Sequence, residues 1–133
     1  MGRPAVTTIT FPRPTPALLS MNDRHHWRRR ASDVKAWRLV AGLYASAVRR
    51  DLIIGTLAKD STQTPALVCV TLDVPDRRRR DPANYFATVK VCVDACVDAG
   101  WWPDDTPEWV TVCEPVLRVV KGPLMVTVEL VPR

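Results

Sequence analysis

The chain has 133 residues, of which 47% are hydrophobic and 25% charged, with a formal net charge of +5. That length supports one ordinary core rather than two domains of typical size, so residues 1–133 are read as a single domain. No apolar run approaches the roughly 20 residues that a membrane-spanning helix needs, which excludes a helical membrane protein.

The start, Met1-Gly2-Arg3-Pro4, lacks the charged-then-apolar layout of a secretory signal, and a cytoplasmic location with no membrane partner is the expectation. Ala5–Phe11 is rich in β-branched side chains and closed by Pro12 and Pro14, which predicts a first strand. The proline-spaced run to Pro16 is extended because each proline restricts the residue before it, and Ser20–Arg30 reads as a polar loop. Ser32 or Asp33 can cap a helix with apolar positions at Trp37, Val40, Ala41, Tyr44 and Val48, ending near Arg49 and Arg50 where the macrodipole favours cations. Residues 51–65 read mostly as loop. Ala66–Val74 is nearly continuous in apolar and β-branched residues, the mark of a central strand.

Pro82 suits the first turn of a second helix, in which Tyr85, Val89, Val93 and Val97 recur every four residues and Cys92 and Cys96 widen the stripe. Gly100 ends it, Trp101–Asp105 makes the exit turn, and strands near 109–120 and 124–131 are joined by Lys121-Gly122-Pro123. The order β-α-β-α-β-β predicts an α+β fold, a small mixed sheet with two main helices packed against it. The four cysteines, at 69, 92, 96 and 113, contain no Cys-x-x-Cys turn and sit in strand-like or helical runs, so reduced thiols are expected.

Charge is uneven. Residues 1–50 hold ten Lys or Arg against Asp23 and Asp33, while the remainder carries an acidic excess. Such asymmetry favours an anionic partner, nucleic acid being the commonest, over a merely solvated surface. The densest chemistry is Asp76, then Arg77, Arg78, Arg79 and Arg80, then Asp81-Pro82-Ala83-Asn84, followed by Lys90 and Asp104-Asp105. Metal-dependent phosphodiester cleavage needs hard oxygen ligands, a cation at the scissile phosphate and basic residues along the strand, and all three occur here. The plainer readings are an N-cap for Asp81, a Lys90–Asp94 pair at i,i+4, and turn chemistry for Asp104 and Asp105. A straight helix of about 16 residues would hold Asp81 and Asp105 roughly 24 Å apart. They approach only if 81–87 is an irregular turn, with the helix starting near Thr88, and the chain after Gly100 doubles back.

The segments Val74–Asn84, the helix with Lys90, and Asp98-Ala99-Gly100-Trp101-Trp102-Pro103-Asp104-Asp105 resemble the signature of the RusA-type Holliday junction resolvases of phages and prophages. The likeness covers residues 74–121, and Asn22–Arg30 matches the family's basic N-terminal loop. It implies a RusA-like homodimer that resolves four-way junctions and other branched DNA by paired nicks with Mg²⁺, for which Mn²⁺ can substitute. It implies metal-binding carboxylates at Asp81 and Asp105 with Asp104 beside them, an essential Lys90, and a matching Asn84. Arg77–Arg80 and Arg28, Arg29 and Arg30, with Asn22, His25 and His26, would contact DNA, and Trp27 is the one tryptophan suited to base stacking. Two features depart from the pattern. Ala83 stands where Asp-x-Asp-Asn has its second aspartate, and about three extra residues separate Asn84 from Lys90. A branched-DNA binder with weak or no nuclease activity is therefore the alternative, and a repressor using the basic helix at 32–50 is the third.

Overall fold

A computed structural model describes residues 6–21, 27–56 and 63–133. In chain order the elements are β1 (Thr7–Pro12), α1 (Trp27–Thr56), β2 (Ala66–Val74), a 3-10 turn (Pro82–Tyr85), α2 (Phe86–Asp98), β3 (Val110–Val112), β4 (Val116–Val119) and β5 (Met125–Pro132). The fold is α+β, with one mixed sheet and two helices, as expected. β5 lies between β1 and β2 and is antiparallel to both, while β3 and β4 run parallel to β2 along its other edge.

β2 is central, as its apolar run predicted. Ile9 and Phe11 of β1, Val68, Val70 and Leu72 of β2, and Val126, Val128 and Leu130 of β5 alternate onto the buried face, the two-residue period of a strand covered on one side. Trp37, Ala41 and Ala45, four residues apart on α1, and Val89, Cys92, Val93 and Cys96 of α2 join the same core. Trp37 anchors it. Its ring meets Phe11 edge-on at 6.2 Å, and its indole N–H donates to Thr15 Oγ1 at 2.7 Å. Trp102 is equally buried, and Trp101 and Trp109 pack partly against the core. Tyr44, predicted to face inward, remains 41% exposed and touches Phe11 with its ring.

Three element boundaries differ from the sequence reading. α1 includes Trp27–Arg30, read as loop, and continues through residues 51–56, so Arg49 and Arg50 lie within the helix rather than at its end. Arginine and leucine are good helix formers even where no apolar period announces a helix. The strand predicted over 109–120 is split: Val112 is opposite Val68 and Val116 is opposite Thr71, so one strand advances four residues while β2 advances three. The extra residue falls at Cys113–Pro115, where proline has no N–H to offer the ladder. Gly122 in the β4–β5 turn has φ of 112° and Gly100 after α2 has φ of 89°, conformations that L side chains rarely adopt.

Cys92 and Cys96 are buried, which pushes both thiols well above their ordinary range. Cys69 and Cys113 face each other with sulfurs 3.0 Å apart, and burial together with Cys113 pushes the Cys69 thiol up to about 11. No described helix is long and apolar enough to cross a membrane.

Replacing Trp37 by alanine is expected to lower the free energy of unfolding by about 4 kcal/mol, seen as an earlier urea midpoint. Thr15→Ala, which removes only the acceptor for the indole, should cost about 1 kcal/mol.

Candidate active site

The site is assembled at the end of β2 and along α2. Pro82 opens the 3-10 turn, for which its missing N–H is no loss. Asp81 precedes it as the cap, its Oδ1 accepting the Ala83 N–H at 3.1 Å and its carbonyl accepting the Asn84 N–H at 3.0 Å. The irregular turn at 82–85 is thus present, and the regular helix starts at Phe86, two residues before Thr88.

The chain after Gly100 does double back. Lys90, in the second turn of α2, donates from Nζ to Asp105 Oδ2 at 2.6 Å and to Asp94 Oδ1 at 2.9 Å. Those bonds hold the Lys90 ammonium above its ordinary pKa, Asp105 contributing first and Asp94 second, and they hold the Asp105 carboxyl below the usual carboxylate range. Both members are exposed, so solvent screens the pair and its contribution to stability is small. What it fixes is direction. Beside it lies an apolar groove of about 330 Å³ walled by Phe86, Val89, Val93, Val110 and Val112.

The backbone draws the N-terminal segment to the same region. The carbonyl of Asn84 accepts the Met21 N–H at 2.7 Å, Thr88 Oγ1 donates to the Leu19 carbonyl at 2.8 Å, and Arg30 donates to the Ser20 carbonyl at 2.9 Å. Arg30, in the first turn of α1 with Arg28 and Arg29, thus reaches the segment that binds the 82–85 turn. No acidic residue occupies that first turn, so three cations add to the positive end of the helix dipole. Asn22, His25 and His26 lie outside the described residues, as does the side chain of Trp27.

The four consecutive arginines divide. Arg77, Arg78 and Arg79 are exposed, whereas Arg80 turns inward and its side chain is 8% exposed. It donates to the Asp76 and Arg78 carbonyls at 3.0 and 3.2 Å and pairs with Asp76 Oδ1 at 2.9 Å, locking the turn it belongs to. The Asp76 carboxyl is held low first by the Arg78 N–H and then by Arg80. Asp104 serves the exit turn, its Oδ1 accepting from the N–H and hydroxyl of Thr106 at 3.0 and 2.6 Å. Asp98, in the stretch that carried the family likeness, forms a two-bond pair with Arg38 of α1 at 2.6 and 2.8 Å.

Three residues the sequence reading passed over organise this end of the sheet. Asp73 is 2% exposed, and its carboxylate accepts from Arg118 Nε at 2.9 Å and from the Met125 N–H at 3.1 Å. Its carbonyl accepts from Arg13 Nη1 at 3.1 Å. The signal was available: an aspartate inside the apolar run Leu67–Val74 must find partners.

Among the described residues, no three His, Cys, Asp or Glu side chains converge as a caged metal ion would require. Asp81 and Asp105 are each exposed and offer oxygen donors of the type Mg²⁺ takes. A cation, Lys90 Nζ, already sits against Asp105.

No model of a known protein family matches the chain, and no curated protein is significantly similar to it.

Asp105→Asn is expected to lower the Lys90 pKa toward its ordinary 10.5 without abolishing the shift, because Asp94 remains. Titration of the Lys90 side chain by NMR checks this. In the wild type the Lys90 contribution persists below pH 10.5 and fades as pH rises through the raised value. The Asp105 contribution persists above 3.8 and fades as pH falls through the lowered value.

Proposed function

We propose that this protein is a metal-dependent, structure-selective endodeoxyribonuclease of the RusA type, acting as a homodimer on four-way junctions and other branched DNA. The observation that carries the reading is the return of Asp105 to Lys90, 2.6 Å apart, on the helix that follows the arginine run and the Asp81 cap in the chain. A lysine held beside carboxylates, on a helix that exposed arginines precede in the chain, suits phosphodiester hydrolysis.

In this reading Asp81 and Asp105 hold Mg²⁺, which when bound supplies Lewis-acid polarisation of the phosphate and a more acidic water. Lys90 stabilises negative charge building on the scissile phosphate, and Asp105 and Asp94 keep it protonated and aimed. Asn84 belongs to the same turn as Asp81. Arg77–Arg79 with Arg28–Arg30 grip the DNA backbone, so affinity falls with added salt. Asp104 supports the exit turn and keeps Asp105 in position.

A second reading, a branched-DNA binder with little or no nuclease activity, is favoured by Ala83. The side chain there offers no oxygen; the backbone N–H donates to Asp81 Oδ1 and the carbonyl accepts the Phe86 N–H. Incubation with a synthetic four-way junction, with and without Mg²⁺, separates the two. Paired symmetric nicks that need the metal support the nuclease, and tight binding with an intact junction supports the binder.

Lys90→Ala is expected to slow nicking by about 100-fold or more while leaving junction binding nearly intact. Unchanged nicking in that variant removes Lys90 from the site. Ala83→Asp is expected to raise the rate, measured in the same assay.

A further inference from the structure

The end of the sheet that carries Asp73 opens onto a cavity of about 510 Å³, between the β1–α1 linker and the arginine turn. It shares no lining residue with the groove beside Lys90. Its charged lining is Arg13, Arg78 and Arg80 against Asp76 alone, and the Asp76 carboxylate is already engaged by Arg80 and the Arg78 N–H. Leu18, Pro75, Tyr85 and Leu124 form apolar wall.

Arg13 is the unusual member. Its two Nη groups donate only to neutral carbonyls, those of Asp73 at 3.1 Å and Pro16 at 2.6 Å. Its Nε is, among the described residues, the one buried side-chain nitrogen or oxygen with no hydrogen-bond partner. Burial first, and then the charge of Arg80, press the Arg13 pKa below its ordinary value. The attraction of Tyr85 and of the Asp73 carboxylate does not restore it. The Asp73 carboxylate is itself committed to Arg118 and the Met125 N–H. A half-buried guanidinium with an idle N–H and only neutral acceptors is unfavourable until a counter-charge arrives, whereas Arg80 beside it is already paired with Asp76. Guanidinium forks match phosphate oxygens in shape as well as charge.

We propose that this cavity binds a phosphorylated nucleotide, its phosphoryl group at Arg13 and Arg80 and its base along Pro75, Tyr85 and Leu124. The volume lies in the range of about 300 to 1,000 Å³ typical of small-ligand sites. The nucleotide is either free or a unit of a bound DNA strand; the second case rests on the DNA binding proposed above, with which it shares Arg78, while neither needs metal or bond cleavage.

The full-length protein, without divalent metal, is titrated with thymidine 5′-monophosphate, thymidine and inorganic phosphate while the ¹⁵N-arginine Nε–H signals are followed by NMR. Saturable binding of the monophosphate that moves the Arg13 signal, with thymidine silent and inorganic phosphate weaker, is the expected result. Arg13→Gln should weaken binding by at least about tenfold. Because that change can also disturb the linker, Leu124→Trp, which narrows the cavity and keeps every charge, is the second variant and should weaken binding comparably. Competition by short oligothymidylates with and without a 5′-phosphate assigns the source: only the phosphorylated one competes if the pocket takes a strand end, and both compete if it takes an internal phosphate. No movement of the Arg13 signal at millimolar nucleotide, equal affinity for thymidine or inorganic phosphate, or unchanged affinity in Leu124→Trp would overturn the proposal.

Discussion

The buried carboxylate of Asp73 is the constraint on which the chemistry-bearing end of the fold rests. A desolvated charge at the end of a central strand is unfavourable unless several donors converge on it, and they come from different parts of the chain: Arg118 from β4 and the N–H of Met125 from the start of β5. The carbonyl of the same residue takes Arg13 from the linker after β1. One aspartate thereby binds the linker, β4 and β5 to the end of β2, and the arginine turn departs from that tie immediately afterwards. The turn can carry four adjacent cations because its root is held from three sides.

The division among those cations follows from the same geometry. Arg80 is folded back onto Asp76 and the carbonyls of its own turn, where it contributes shape and local field. Arg77–Arg79 remain in solvent, free to meet a polyanion. Arg28–Arg30 add to the field from the start of α1, which hydrogen bonds through Ser20 and Met21 hold near the 82–85 turn. Seven arginines thus lie in two short segments, although the formal net charge is only +5.

Much of the architecture could be read from residues alone, because burial imposes periods. The two-residue alternation in β1 and β5 and the four-residue spacing in α2 are direct consequences of covering one face, and Gly100 and Gly122 mark turns that need positive φ. What could not be read was set by partners distant in sequence. The ends of α1 carry no apolar period to announce them, and the pairing of two short parallel strands with one edge of β2 is a tertiary matter. The return of the chain after Gly100 along α2 was legible only as a condition for Asp81 and Asp105 to approach, and what the structure shows of it is the contact of Asp105 with Lys90. Asp73, Arg13 and Arg118 went unnoticed because a single charge in an apolar run names a need without naming the residue that answers it. The facing sulfurs of Cys69 and Cys113 likewise arise from strand registry that no spacing rule encodes.

The position of β5 has a consequence in time. The last strand of the chain is an interior strand of the sheet, with Thr7 opposite Leu130 on one side and Val68 opposite the same residue on the other. Until residues 125–132 emerge, β1 has no ladder to join and β2 keeps a bare edge, so the first strand made must wait for the final one. Closure of so long a loop is slow compared with local helix formation. A nascent or truncated chain ending before Met125 would thus hold its helices while presenting two unpaired β edges to its surroundings.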